Sequence, residues 1–211
     1  MAQVKICGLR EAAHVTAAVE AGARYLGFVF FAKSPRAVLP AQAALLGRDV
    51  PPGVARVGLF VDPDDALLDE VLGVAPLDMI QLHGAETPQR VGQVRSRFGL
   101  PVMKALGIAE PADLGAIWSY GTVADMLLID ARPPRDAVLP GGNGLAFDWR
   151  LLVGRRWPRP WLLAGGLTPD NVAGAIALTG APGVDVSSGV ETAPGVKDEA
   201  LIRDFVAQAL T

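Results

Sequence analysis

Eight short runs rich in Val, Ile, Leu and Phe recur along this chain of 211 residues, most of them 20 to 35 residues apart. They occupy residues 3–7, 25–30, 55–61, 78–82, 101–106, 125–130, 160–165 and 183–187. Strands that are continuously apolar and alternate with helices belong to a parallel sheet covered on both faces. Dividing 211 residues among eight strand–helix units leaves about 26 residues for each. The pattern therefore predicts a single (β/α)₈ TIM-barrel domain spanning 1–211, near the lower size limit of that architecture.

An open, doubly wound sheet is the alternative α/β architecture. That fold usually carries a Gly-rich fingerprint after its first strand, and the segment "CGLREA" that follows here is not one. The segments between the strands have helical period. Residues 11–22 close on Gly22 as a helix C-terminal signal, while Thr87–Pro88 and Thr168–Pro169 predict helix starts, each with a capping hydroxyl followed by proline. The long irregular segment 131–146 predicts a functional loop.

Composition excludes several classes of protein. Acidic residues number 22 against 19 basic ones, for a net charge of −3, which argues against a nucleic-acid partner. One cysteine cannot form an internal disulfide, and no Cys/His cluster has zinc-site spacing. The first residues, "MAQVKICG", lack the charged start, apolar stretch and small-residue cleavage site expected of a signal peptide, and the apolar runs are too short to cross a bilayer. We therefore expect a cytoplasmic protein without a membrane partner, and both a monomer and a homodimer fit the sequence.

Polar residues at the carboxyl ends of the strands predict the site, because the active sites of such barrels lie there. Any one of them could be only a helix cap or a loop anchor. Together they form a set on most of the strands: Cys7, Asp62, Gln81, His83, Asp130, Gly165, Gly166, Ser187, Ser188 and Gly189. We expect Gln81 to contact the substrate and His83 to be a supporting, hydrogen-bonding residue. The other histidine, His14, is expected on a helix surface.

The loops after strands seven and eight predict a phosphate site, which this architecture frequently builds there. Glycine lets backbone N–H groups approach an anion closely. Gly165, Gly166, Ser188 and Gly189 suit that role, and Ser187 adds a hydroxyl. Two ordinary tight turns are the alternative interpretation.

Two further side chains suit proton transfer. Desolvation at the end of an apolar strand favours the protonated form of Asp130, which could then act as a general acid. The Cys7 thiol, near Lys5 or a helix N-terminus, could act as a thiolate base. An acid, a base and a phosphate site without a cofactor motif are typical of an aldose–ketose isomerase acting on a small molecule, and no metal or organic cofactor is expected.

Strand parity adds one expectation. Side chains alternate along a strand, so Lys5 points the same way as Cys7, and Asp185 the same way as Ser187. Strands one and eight are neighbours in a closed barrel, so Lys5 and Asp185 should pair across the seam and favour the Cys7 thiolate. The alternative places one or both of them towards the outer helices.

Several segments of the chain together resemble the phosphoribosylanthranilate isomerase family of tryptophan biosynthesis, in order from residue 4 to about 191. They are "VKICGL", "GFVFFAKSPR", "VGLFV", "IQLHG", "LLIDA", "GGNGLAFDW", "LAGGLTPDNV" and "VDVSSGVE". The resemblance implies that Cys7 is the general base and Asp130 the general acid. It also implies that Arg36 binds the anthranilate carboxylate, for which its planar fork is suited. Asn143 departs from the family, which has threonine there.

The resemblance implies an Amadori rearrangement of N-(5-phosphoribosyl)anthranilate in a (β/α)₈ barrel. Another phosphosugar isomerase, such as the histidine-pathway enzyme, is an alternative, but that relative would carry aspartate in place of Cys7. Indole-glycerol-phosphate synthase is disfavoured because its lysine and glutamate set is not found. A catalytically silent barrel that only binds phosphosugars or a partner enzyme is the alternative from another class.

Overall fold

The computed structural model describes residues 1–132, 139, 141–142 and 144–211. Within them, eight parallel strands close into a barrel in chain order, and the last strand pairs with the first. The barrel expected from the sequence is thus confirmed. The strands are β1 (Gln3–Cys7), β2 (Tyr25–Val29), β3 (Ala55–Phe60), β4 (Met79–Leu82), β5 (Val102–Ile108), β6 (Met126–Ala131), β7 (Trp161–Leu163) and β8 (Gly183–Val186).

Seven α-helices cover the barrel in the described part of the chain. They are α1 (Ala12–Ala21), α2 (Pro40–Leu46), α3 (Asp65–Val74), α4 (Pro88–Phe98), α5 (Gly115–Gly121), α6 (Val172–Thr179) and α7 (Glu199–Leu210). A full set of eight helices was expected. The described residues between β6 and β7 instead form only a 3₁₀ turn, Trp149–Leu152.

The caps explain where two helices begin. The Thr87 hydroxyl accepts a hydrogen bond from the Arg90 backbone N–H at 3.2 Å, which confirms the expected start of α4. The expected start at Thr168 is wrong, since α6 begins at Val172. There the Thr168 N–H donates to the Asn171 side-chain oxygen at 2.8 Å, so an asparagine turn precedes the helix.

Strand alternation sorts the apolar side chains into two layers. Val4 and Ile6 on β1 belong to the main core between the strands and the helices. A second cluster that includes Met103, Leu128 and Leu162 is formed by alternate residues of β5, β6 and β7, which point inside the barrel. Burying each such side chain contributes about 1.5–3 kcal/mol. The interior of the barrel is therefore packed below the level of the strand ends.

Two further findings concern the surface. His14 is buried, not exposed as expected, because it shares the inner face of α1 with Ala17 and Ala18, three and four residues on. In the parts of the chain that the structure describes, none of the helices has the length and apolarity needed to cross a bilayer.

After β8, two short strands form an antiparallel hairpin that the sequence analysis did not predict. These are β9 (Glu191–Ala193) and β10 (Val196–Lys197). A 3₁₀ turn, Ser188–Val190, leads into the hairpin from the end of β8. The hairpin therefore lies at the same end of the barrel as the expected site.

Candidate active site

A cavity that is open to solvent lies at the carboxyl ends of the strands. Most of the expected site residues line it: Cys7, Arg36, His83, Asp130, Gly165, Gly166, Asp185, Ser187, Ser188 and Gly189. Lys5 and Gln81 are fully buried and do not line it. Asp62 does not line it either; its side chain accepts a hydrogen bond from the Ala85 N–H at 2.7 Å. The structure thus brings the expected acid, base and glycine loops to one cavity.

Cys7 is the last residue of β1 and is almost fully buried. Its neighbour across the sheet is Gly27 on β2. A Cβ atom at Gly27 would lie 2.8 Å from the Cys7 Sγ atom, so only glycine leaves room for the thiol. Gly27 is a site residue that the sequence analysis missed, although it stands in the quoted segment "GFVFFAKSPR".

Lys5 and Asp185 pair across the barrel seam, as strand parity predicts. The two residues are in register on β1 and β8, and the Lys5 Nζ atom lies 2.8 Å from Asp185 Oδ1. Burial alone lowers the pKa of Lys5, but attraction to Asp185 and Cys7 outweighs it and raises that pKa above its ordinary value. Lys5 is therefore a charged ammonium directly beneath the thiol.

The Lys5 ammonium lowers the pKa of the Cys7 thiol, in the expected direction, but it is not the largest influence on that pKa. Burial raises the pKa of the Cys7 thiol, and this effect exceeds the lowering by the Lys5 and Lys197 ammonium groups. The net direction is upward. Lys5 thus limits the cost of ionising a buried thiol without making the thiolate its resting form.

Asp130 lies near the end of β6, beside His83. The Nε2 atom of His83 is 3.3 Å from Asp130 Oδ2, and its Nδ1 atom is 2.9 Å from the Gln81 amide nitrogen. An amide N–H that donates to Nδ1 leaves the histidine proton on Nε2, where it points to Asp130. Gln81 was expected to contact the substrate. The structure instead places it behind His83, where its side-chain oxygen has no partner among the described residues.

The segment expected to be a functional loop, 131–146, supplies one wall of the cavity through several of its described residues. Gly141 packs directly on the acid. A Cβ atom there would lie 2.6 Å from His83 Nε2 and 2.9 Å from Asp130 Oδ2. Asn143, the departure from the family pattern, lies outside the described residues.

The two glycine loops border the cavity. Gly165 and Gly166 have φ angles of 85° and 68°, in the left-handed region that favours glycine. The Asn171 side-chain amide donates to the Gly166 carbonyl at 2.9 Å and fixes this loop. Gly189 packs on the Leu167 carbonyl so closely that a side chain would overlap it. The loops after β7 and β8 are therefore locked together, with glycine where an anion would need access to N–H groups.

Arg36 is buried at the cavity wall, but its guanidinium already has a carboxylate partner. Its Nε and Nη2 atoms donate to the two oxygens of Glu191, at 2.7 and 2.8 Å. Glu191 also accepts from Lys197 at 2.7 Å. Sequence reasoning missed Glu191 and Lys197. The Pro194–Gly195 pair between them is a turn signal that could have indicated the hairpin. It could not have indicated that Glu191 binds Arg36, which lies 155 residues away along the chain.

Among the described residues no three His, Cys, Asp or Glu side chains are grouped so that they could hold a metal ion. The chemistry open to this cavity, on the residues described, is proton transfer by a thiol and a carboxylic acid beside two anion-accessible loops and a buried guanidinium.

Comparison with known proteins places this site in one family. A family model described as N-(5'phosphoribosyl)anthranilate (PRA) isomerase matches residues 4–208. An N-(5'-phosphoribosyl)anthranilate isomerase of Paracoccus denitrificans is 72% identical over 206 residues, which cover 98% of this chain and 96% of that protein.

Solved structures agree. Phosphoribosyl anthranilate isomerase from Thermotoga maritima has a TM-score of 0.89 at 36% identity, covering 100% of this chain and 99% of that one. A phosphoribosyl anthranilate isomerase in complex with reduced 1-(o-carboxyphenylamino)-1-deoxyribulose 5-phosphate has a TM-score of 0.86 at 34% identity, with the same coverage. This chain belongs to the phosphoribosylanthranilate isomerase family.

Proposed function

We propose that this protein catalyses the Amadori rearrangement of N-(5-phosphoribosyl)anthranilate to 1-(2-carboxyphenylamino)-1-deoxyribulose 5-phosphate. The observation that carries the proposal is the meeting of Cys7 and Asp130, from β1 and β6, in one cavity bordered by two glycine loops. A base and an acid on different walls suit a reaction in which one proton is given and another is taken.

The substrate's two anionic ends suit the two sides of the cavity. The phosphate would be bound by backbone N–H groups of the loops that contain Gly166 and Ser188, because those loops are rich in glycine and line the cavity. The anthranilate carboxylate would be bound by Arg36, which also lines the cavity and carries a permanent charge.

The first step is the opening of the ribose ring. Asp130 gives its proton to the ring oxygen, and the bond between that oxygen and C1 breaks. The nitrogen lone pair forms the C1=N double bond, which yields a protonated Schiff base. The Asp130 carboxylate formed in this step faces the Nε2–H group of His83, which supports the negative charge.

The second step is proton removal at C2. The Cys7 thiolate takes the C2 proton, and the C–H electrons form a C1=C2 double bond while the C1=N electrons return to nitrogen. The resulting enolamine tautomerises to the ketone when its C2 hydroxyl loses a proton and C1 gains one. The protonated Schiff base accepts the electrons, and the reaction as a whole consumes no proton.

Cys7 also favours this reading over the histidine-pathway alternative, for which aspartate is expected at that position. The intact pair of Cys7 and Asp130 weighs against a silent, phosphosugar-binding barrel. We further propose a cytoplasmic location, since a catalytic thiol has to stay reduced and the substrate is a small phosphosugar. Cell fractionation would test the location.

The fluorescence decay of freshly made phosphoribosylanthranilate on addition of the purified protein tests the activity. We expect a decay that depends on enzyme concentration and is competed by inorganic phosphate. Arg36→Ala should raise KM for this substrate more than it lowers kcat, and Arg36→Lys should restore binding only partly. A protein that leaves the fluorescence unchanged would not have the proposed function.

A further inference from the structure

Glu191 is the centre of a buried ionic cluster beside the cavity. Its carboxylate accepts four hydrogen bonds: two from Arg36, one from Lys197 at 2.7 Å and one from the Gly195 backbone N–H at 3.1 Å. The side chains of Arg36, Glu191 and Lys197 are 6%, 3% and 1% exposed. A carboxylate with this many donors is held in a single orientation.

This cluster decides which edge of the Arg36 guanidinium can meet a ligand. Nε donates to Glu191, and Nη2 donates both to Glu191 and to the Gly142 carbonyl at 3.2 Å. Nη1 has no acceptor among the residues that the structure describes. Glu191 thus occupies the edge of the guanidinium formed by Nε and Nη2, which a free arginine could offer to a carboxylate. Nη1 is left for the ligand. A ligand carboxylate would then meet Nη1, in place of the contact with the planar fork that the resemblance implies.

The charges of the cluster favour an anionic ligand. With Lys197 protonated, two cations and one carboxylate leave a net charge of +1 among three nearly fully buried side chains; burial lowers the pKa of Lys197, and attraction to Glu191 opposes that lowering. Burial raises the pKa of Glu191, but hydrogen bonds from Arg36 and the charge of Lys197 outweigh burial and hold the pKa below its ordinary value. Glu191 is therefore ionised at neutral pH, and one positive charge is uncompensated until an anion binds.

The hairpin that bears Glu191 is fixed to both walls of the site. Lys197 Nζ donates to the Ser187 carbonyl at 2.9 Å, and the Ser187 hydroxyl donates to the Cys7 carbonyl at 3.2 Å. On the other side, Gly195 packs so closely that a Cβ atom would lie 2.5 Å from the Pro35 carbonyl oxygen. The hairpin thus contacts Pro35, the residue before Arg36, on one side, and is linked through Ser187 to Cys7 at the end of β1 on the other.

We propose that Glu191 is a specificity-determining positioning residue, which holds Arg36 side-on so that Nη1 is presented to the carboxylate on the substrate's aromatic ring. Lys197 supplies the second cation that keeps the cluster net positive. The inference rests on the proposed function, because it assumes that the ligand is an arylamine glycoside bearing a carboxylate.

A matched pair of ligands tests this role. One is reduced 1-(o-carboxyphenylamino)-1-deoxyribulose 5-phosphate, and the other is the same compound without its carboxylate. Their dissociation constants would be measured by calorimetry for the wild type, Glu191→Gln and Asp78→Asn. Asp78 is the matched control, because it binds Arg56 through the same two nitrogens, at 2.8 and 2.9 Å, and does not line the cavity.

We expect the wild type and Asp78→Asn to prefer the carboxylate-bearing ligand equally. In Glu191→Gln the amide NH₂ would face other donors, so Arg36 should shift and the preference should fall by about tenfold or more, as for the loss of one charge-assisted hydrogen bond. Affinity for the ligand without the carboxylate should change little.

Three results would overturn the proposal. One is an unchanged preference in Glu191→Gln, and another is an increased preference, which would show that Glu191 competes with the ligand for Arg36. The third is a wild type without any preference. Turnover of phosphoribosylanthranilate by the wild type tests the proposed activity separately. If Glu191→Gln does not fold, Gly195→Ala serves instead, since it displaces the hairpin from Pro35 without changing charge and should reduce the preference likewise.

Discussion

His83 donates towards Asp130 from the residue just beyond β4, with Nε2 3.3 Å from Oδ2. Gln81, two residues earlier, holds the other ring nitrogen at 2.9 Å and so fixes the tautomer. The acid therefore has a hydrogen-bond donor facing the charge that it acquires when it gives up its proton.

Asp130→Asn should lower kcat at least about 100-fold, because an amide has no proton to transfer. His83→Asn should have a smaller effect, since it removes a supporting donor and leaves the acid in place. Steady-state kinetics with thermal unfolding as a check of the fold would measure both. Equal losses in the two variants would contradict this division of roles.

Cys7→Ser should keep the fold and lose at least about 100-fold in kcat, because a serine hydroxyl is a far weaker base than a thiolate. The smaller oxygen fits the space left by Gly27, so the melting temperature should change little. A Cys7→Ser variant that retained most of its activity would make the cysteine a packing residue.

The reactivity of Cys7 should rise with pH through the neutral and alkaline range. Burial raises the pKa of this thiol, so the thiolate fraction is small at neutral pH and grows as the pH approaches that pKa. Lys5→Met removes a group that lowers the pKa of Cys7, and the rise should therefore move to higher pH. Rates of alkylation by iodoacetamide across pH measure this without an activity assay. Lys197→Met should act in the same direction, and a shift to lower pH in either variant would refute the role.

Gly141→Ala should impair the acid through a steric effect alone. Its new methyl group would lie 2.6 Å from His83 Nε2 and 2.9 Å from Asp130 Oδ2, so these groups or the loop must move. We expect kcat to fall by roughly 10-fold to 100-fold, the scale of a misplaced catalytic group. Gly115→Ala is the control, since a Cβ atom there meets nothing within 4 Å. Unimpaired turnover in Gly141→Ala would show that the loop does not pack closely against His83 and Asp130 in solution.

Acid should destabilise the fold partly through Glu191. Despite burial, Arg36 and Lys197 hold its pKa below the value of about 4.3 for an unfolded chain. The unfolded state then binds more protons between the two pKa values, so the stabilisation is present above about pH 4.3 and is lost as the pH falls through the folded pKa. The unfolding free energy of Glu191→Gln, measured by urea denaturation, should fall less steeply with decreasing pH in this range. An equally steep fall would mean that other carboxylates account for the acid sensitivity.

How much of the fold and of the site could be predicted from the sequence depends on whether each feature is determined by residues close together in the chain. All eight strands lie within two residues of their apolar runs, because continuous burial on both faces leaves a local signature. The start of α6 was misplaced because the Asn171 side chain forms a turn that competes with the Thr168 cap. The link from Arg36 to Glu191 joins residues 155 positions apart, and no local pattern records such a contact.

The seam between β1 and β8 has a consequence for how the protein is made. Lys5 and its partner Asp185 are 180 residues apart, so the ribosome completes nearly the whole chain before the pair can exist. At about 5–20 residues per second, the first strand waits roughly 10 to 35 seconds for the last. During that interval, closing the barrel would bury the Lys5 ammonium without a counter-ion, which is costly. We therefore expect the barrel to stay open until the final quarter of the chain has been synthesised. The thiol at the end of β1 then becomes enclosed only when synthesis is almost finished.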